Sequence, residues 1–295
     1  MEVPATSKRK SSPKIAILQV PQLSRISWLV HGFSTRKGGA SRAYGKGSLN
    51  LGFTVHDERN AVAKNRTAFV SAVTKGGKAR WNLVSLRQVH SDLIRCVSQA
   101  SEHALAGDGL ITNTPGLLLA VLTADCLPVI LVDPKHRAVG VFHAGWRGTV
   151  KRIVEKGVGE MRKHFGSNPR QLHAAIGPGI RNCCYQVGSE VKDIFQAQFA
   201  YGSELFRETK ERNEIHERYP LLFLTARAPG HSELPKQIFL DLAEANRRQL
   251  LDAGVPARNI SDLGMCTSCK PELFFSHRAE KGKTGRMMAV AGIWP

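Results

Sequence analysis

Three segments place metal-binding or nucleophilic side chains where an apolar run gives way to a loop. They are Gln88-Val89-His90, Thr123-Ala124-Asp125-Cys126 and Phe142-His143-Ala144-Gly145-Trp146-Arg147-Gly148. Imidazole and thiolate are donors that zinc prefers, and three protein ligands with one open position is the pattern of a catalytic zinc. Between the three donors lie 35 and then 16 residues, so no compact motif unites them. Taken singly, each histidine reads equally well as a hydrogen-bonded core residue, and Cys126 as an inert buried thiol. The same Cys126 and His143 also permit a nucleophile pair in which imidazole deprotonates the thiol. The residue types leave these chemistries open.

Other groups could serve such a site. Gly145 to Thr149 supplies free backbone N–H groups at an expected helix start, with Arg147 beside them, and such an end attracts anions. Arg36 in its Gly-rich loop, and Arg278 with Lys283, Thr284, Gly285 and Arg286, could add donors suited to bidentate phosphate contacts. Any one of these arginines alone reads as solvated surface. A second thiol group comprises Cys183-Cys184 and Cys266-Thr267-Ser268-Cys269. Adjacent cysteines aim poorly at one metal, so a structural or accessory role is favoured, with a zinc site of all four thiolates as the lesser alternative.

The elements that must position these residues follow from patterning. A helical period spans 57–73, and continuous apolar runs at 117–122 and 129–132 suit buried strands. Strands are also expected at 81–90, 93–97, 138–143, 173–176, 273–276 and 287–293. Thr149 reads as the N-cap of a helix carrying Val150, Ile153, Val154, Val158 and Met161 on one face. Further helices are expected over 188–198 and 240–251, and a charged stretch with a loop over 203–236. With 295 residues and 42% hydrophobic, the chain holds ample material for one α+β domain over 15–295, after a basic disordered tail over 1–14.

The tail has no apolar core of a secretory signal, and no run approaches the roughly 20 apolar residues of a membrane span. Six cysteines are too sparse for a disulfide scaffold, which points to the cytoplasm. The net charge of +18 invites a nucleic-acid partner, but the basic residues are scattered and form no nucleic-acid-binding motif. A small anionic substrate accounts for them better.

Together, Ser34-Thr35-Arg36 with Gly38-Gly39, Ser48-Leu49-Asn50-Leu51-Gly52, Gln88-Val89-His90, Asp108-Gly109-Leu110-Ile111-Thr112-Asn113, 123–128, 143–148, 176–179 and Phe274-Phe275-Ser276-His277-Arg278 resemble the YfiH/laccase-domain family. That family is also labelled polyphenol oxidase and peptidoglycan editing factor. The resemblance covers about residues 30–293. It implies a four-layer α/β/β/α sandwich with mixed sheets, and a zinc held by His90, Cys126 and His143, with copper as an alternative occupant in vitro. It implies phosphorolysis of adenosine, inosine, guanosine and 5′-methylthioadenosine to free base and ribose 1-phosphate, together with adenosine deamination. The partners would be a purine nucleoside and phosphate, and the substrate or phosphate contacts would fall to Arg36, Asn50, Arg147 and Arg278.

Zinc-activated water suits attack at C6 of adenine. Multicopper oxidation does not suit this chain, because none of its 11 histidines lies two positions from another. His277, where some relatives carry an aromatic residue, and the charged stretch after Ser203 bear on substrate preference. A Cys126/His143 amidase acting on peptidoglycan precursors and a non-catalytic basic nucleic-acid-binding module are the alternatives. Oligomeric state is not legible.

Overall fold

The computed structural model describes residues 15–77, 79–100, 105–210 and 236–295. The expected tail and most of the charged stretch over 203–236 lie outside them. Two mixed sheets dominate. The first runs in the order β1 (Ile17–Leu18), β2 (Leu29–Ser34), β15 (Met287–Ile293), β7 (Leu117–Thr123) and β4 (Asn82–Ser85). The second runs β14 (Ile260–Asp262), β10 (His173–Ile176), β8 (Leu127–Asp133), β9 (Ala138–Ala144), β6 (Gly109–Thr112) and β5 (Ile94–Cys96). Neighbours are antiparallel except β4 with β7, β5 with β6 and β10 with β14. A short strand β3 (Lys37–Ser41) and helix α1 (Pro21–Ser24) flank β2.

Burial follows from the alternation of strand side chains. Phe33, Leu119, Val121 and Ala289 of the first sheet pack against Ile130, Val132, Val139, Val141 and Ala175 of the second. On the far face of the first sheet, Leu118, Ala120 and Val290 receive Phe69 and Val73 of α2 (Arg59–Val73). On the far face of the second, Val129, Leu131 and Phe142 meet Ile153, Val154, Val158 and Met161 of α4 (Ile153–Phe165), joined by Leu242, Ala245 and Leu250 of α6 (Leu242–Asp252). Strands β7, β8, β9 and β15 are covered on both faces, which is why they read as unbroken apolar runs.

Four expectations are corrected. Thr149 is not a cap: α3 (Trp146–Val150) starts at Trp146 with Gly145 as N-cap, and Arg152 in the left-handed region (φ 62°) breaks the chain before α4. The Thr149 hydroxyl is buried and accepts from the Asn246 side chain at 3.0 Å. The strand expected over 81–90 ends at Ser85, because the Gln88 carboxamide replaces the backbone ladder, pairing with both the N–H and C=O of Leu122. Residues 273–276 run from a turn through a bend into irregular chain, not a strand, and the Pro271 and Phe274 carbonyls serve Arg36 instead. A third, antiparallel sheet, β11 (Gln186–Val187), β13 (Lys236–Leu240) and β12 (Phe206–Lys210), is unanticipated, its strands being short or highly charged. Helix α5 (Ser189–Gln198) follows β11 and buries Val191 and Phe195.

His31, on β2, is buried and its Nε2 accepts the Val20 N–H at 3.0 Å. Burial drives its pKa down to about 4 from the ordinary 6.5, and the Nε2 lone pair engaged by the Val20 N–H keeps the ring neutral. The unfolded chain therefore takes up a proton that the folded chain refuses, so this contribution is complete above pH 6.5 and falls as pH drops towards 4. The loss amounts to roughly 3 kcal/mol at the acid end. Denaturant unfolding from pH 7 to 4 should show the wild type losing more stability than His31→Gln, which cannot titrate; parallel curves would contradict the assignment.

Candidate metal centre

Strand register converts distant residues into neighbours. β8 and β9 pair with Leu127 opposite Ala144 and Pro128 opposite His143, so Cys126 and His143 share one sheet end. β6 pairs with β9 with Gly109 opposite Phe142, which sets Asp108 beside His143. His90 arrives on the segment after β4, which Gln88 clamps to β7. The ligand atoms of His90, Cys126 and His143 lie within 4.8 Å of one another. Cys126 Sγ is 4.0 Å from His90 Nε2, and the two imidazole centroids are 4.9 Å apart.

Asp108 organises this set. Its fully buried carboxylate accepts from His143 Nδ1 at 2.8 Å, from the N–H groups of Val89, His90 and Ser91 at 3.2, 3.1 and 2.6 Å, and from the Ser91 hydroxyl at 2.7 Å. These bonds hold His90 at φ 55°, a conformation costly for a residue with a Cβ. Burial would raise the Asp108 pKa, but the donors from His143 and Ser91 outweigh it and hold the carboxyl well below the usual range. With Nδ1 committed to Asp108, His143 presents Nε2 to a ligand. Burial opposes charge on His143, yet the Cys126 thiolate and Asp108 raise its pKa to about 9. Burial likewise opposes the thiolate, but His143 and then His90 pull Cys126 down to about 6.

Two devices fix the sulfur. Asp125, before Cys126, sits at φ 91° and is held there from three sides. Its Oδ1 accepts from the Thr267 hydroxyl at 2.6 Å, its Oδ2 from the Arg278 N–H at 2.7 Å, and its C=O from the Ile180 N–H at 2.7 Å. Gly145 lies so close that a Cβ there would stand 2.9 Å from Cys126 Sγ and 3.2 Å from the His90 ring. Only glycine leaves room for both donors. Two imidazoles and a thiolate converging on one point, with His90 exposed and His143 buried, suit a zinc-type metal with one position open to solvent.

The triad borders a cavity of about 560 Å³. Arg147, Arg278 and Arg286 line it, with Trp146, Tyr185, Leu122, Ile180 and His277. Arg147 stacks on the Trp146 ring at 4.5 Å and has no carboxylate partner among the described residues. Arg278 donates to the Gln186 carbonyl at 2.8 Å, and Arg286 to the Thr284 and Gly285 carbonyls. The helix expected to start within Gly145 to Thr149 does so, at Trp146 after the Gly145 N-cap, but at five residues α3 lends little dipole. Positive charge in the cavity comes from the guanidinium groups instead.

Two expected substrate contacts lie outside the cavity lining. Arg36 donates to the Pro271, Phe274 and Tyr44 carbonyls and to Glu280, and rests 4.6 Å over the Phe275 ring. Asn50 is buried, and its Oδ1 accepts the backbone N–H of Arg286 at 2.9 Å. Both build the wall. The roles of Asp108, Gln88, Asp125 and Tyr185 are not evident from residue type alone; an acid just before an apolar strand, as in Asp108-Gly109-Leu110-Ile111, is the signal that marks the first.

The class so defined is a mixed α/β scaffold with one candidate His/Cys metal centre at its strand ends beneath a basic cavity. Residues 30–294 match the family described as multi-copper polyphenol oxidoreductase laccase, and the chain belongs to that family. It is 35% identical over 274 residues to purine nucleoside phosphorylase YlmD of Bacillus subtilis (strain 168), covering 90% of this chain and 88% of that protein. It is 34% identical over 267 residues to adenosine deaminase RL5 of an unknown prokaryotic organism, covering 87% and 91%. The crystal structure of the Bacillus licheniformis hypothetical protein YfiH superposes with a TM-score of 0.77 at 33% identity, covering 94% of this chain and 96% of that one.

Asp108→Asn preserves shape but puts donors where the fold needs acceptors. It should lower metal affinity about 10- to 100-fold, measured by competition with a chromophoric chelator. Unchanged affinity would show that His90 and His143 are held by something else.

Proposed function

We propose that this protein is a cytoplasmic, zinc-dependent purine nucleoside phosphorylase acting on adenosine, inosine, guanosine and 5′-methylthioadenosine, with adenosine deaminase activity at the same site. One observation carries the reading: a single cavity of about 560 Å³ brings the His90, Cys126 and His143 donors together with three guanidinium groups. That volume falls within the range of small-molecule sites. The names of the relatives, a phosphorylase and a deaminase, support it. Six free thiols support a reducing compartment.

His90, Cys126 and His143 would hold the zinc. When bound, zinc supplies Lewis acidity and lowers the pKa of water at its open position to about 7, which serves hydrolytic loss of ammonia from adenosine. Arg147, Arg278 and Arg286 would bind and orient inorganic phosphate as it attacks C1′ of the ribose while the bond to the purine breaks. Trp146, Leu122 and Ile180 offer apolar surface to the base. Burial pushes the Tyr185 pKa upward, so its hydroxyl stays protonated and can donate to substrate.

A second reading has its own observation. Cys126, His143 and Asp108 alone compose a nucleophile, a base and an orienting carboxylate, as a Cys/His amidase acting on peptidoglycan precursors needs. The exposed His90 imidazole has no part in that arrangement.

Wild type and His90→Ala, each incubated with adenosine with and without phosphate, separate the two. Chromatography should show inosine in both conditions and adenine with ribose 1-phosphate only with phosphate, both falling at least about 100-fold in His90→Ala. No nucleoside turnover by metal-loaded wild type would overturn the proposal, and amide cleavage lost in Cys126→Ser but kept in His90→Ala would install the second reading. Arg278→Ala should raise the KM for phosphate about 10- to 100-fold, since a charged hydrogen bond contributes about 1.5–3 kcal/mol; an unchanged KM would remove Arg278 from the phosphate site.

A further inference from the structure

We propose that Cys183, Cys184, Cys266 and Cys269 form a second metal site, a structural zinc bound by four thiolates that ties together two turns beside the cavity. Cys269 Sγ lies 3.5 Å from Cys183 Sγ and 3.3 Å from Cys184 Sγ, and all four sulfurs lie within 4.8 Å of one another. A tetrahedron with metal–sulfur bonds of about 2.3 Å has edges of about 3.8 Å, so small adjustments seat the ion. A disulfide would instead draw one pair to about 2.0 Å. No pair is singled out here: Cys269 is nearly equidistant from two partners, and Cys266 completes the group.

The backbone explains how adjacent cysteines share a target, against the expectation from sequence. The N–H groups of Cys184 and Tyr185 both donate to the Arg181 carbonyl, at 2.9 and 2.8 Å, and this tight turn swings both thiols towards Cys269. Opposite it, Cys266 and Cys269 bracket a second turn. The two turns are docked by a bridge between Gly179 and Cys266, with Gly179 N–H to Met265 C=O at 3.2 Å and Thr267 N–H to Gly179 C=O at 3.1 Å. Cys183 and Cys269 are exposed, leaving an entry path.

The first turn borders the cavity and the second supports it. Ile180 and Tyr185 line it, and Thr267 holds Asp125, whose strained backbone aims Cys126. Zinc binding releases the thiol protons and crosslinks the turns, fixing that wall through four bonds where hydrogen bonds alone would leave it free to open.

The test uses the full-length protein loaded with zinc and freed of excess, measured by metal analysis and zinc-edge X-ray absorption. Wild type should hold two zinc ions per chain. His90→Ala/His143→Ala should retain one, with a shell of four sulfurs at about 2.3 Å. Cys266→Ser/Cys269→Ser should lose that sulfur-only shell; if this variant does not fold, the histidine variant still decides. No metal in the histidine variant, nitrogen or oxygen in its first shell, or thiol titration revealing a disulfide among the four would overturn the proposal. Should the His/Cys centre itself bind no zinc, wild type and the histidine variant would both hold one ion, so the two failures are distinguishable.

Discussion

A single buried carboxylate holds this site together. Asp108 accepts five hydrogen bonds, from His143, from three consecutive backbone N–H groups and from Ser91. A lone buried charge would be prohibitively costly, and this one is tolerated because its lone pairs are filled. In return it sets the tautomer of one histidine and the left-handed backbone of another. The remaining features of the site follow from where the sheets deliver Asp108. β6 must pair with β9 in this register, and β9 with β8, or the carboxylate, His143 and Cys126 do not meet.

Two strained residues serve the site. His90 at φ 55° and Asp125 at φ 91° are the residues whose side or main chains aim the donors, and each is secured by several hydrogen bonds. Such conformations persist only when surrounding structure over-determines them. Here the surroundings are unbroken buried strands, which deform little. A rigid scaffold with strained loop residues at its edge is a suitable base for chemistry, since the donors are placed before any ligand arrives.

What the amino-acid sequence reveals divides along sequence distance. Strands β7, β8, β9 and β15 are legible because both faces are buried and the runs are continuous. His90, Cys126 and His143 are legible as donor types at strand–loop junctions, but their convergence depends on cross-strand register, which no local pattern encodes. Asp108 stands 18 residues after one histidine and 35 before the other, and only the pairing of β6 with β9 explains it. Arg36, offered by its Gly-rich loop, and Asn50, offered by the family resemblance, spend their side chains on loop carbonyls and N–H groups, which no local pattern reveals. In the third sheet β12 is largely charged and β13 is a five-residue run opened by Lys236 and Gln237, so neither carries a period-2 signature.

The most direct test of this account is anomalous diffraction at the zinc edge from crystals grown with zinc. The account predicts a peak about 2.0–2.3 Å from His90, from Cys126 Sγ and from His143 Nε2, with Asp108 still bonded to His143 Nδ1. No peak at that position, with His143 turned to offer Nδ1 to the thiol instead, would contradict it.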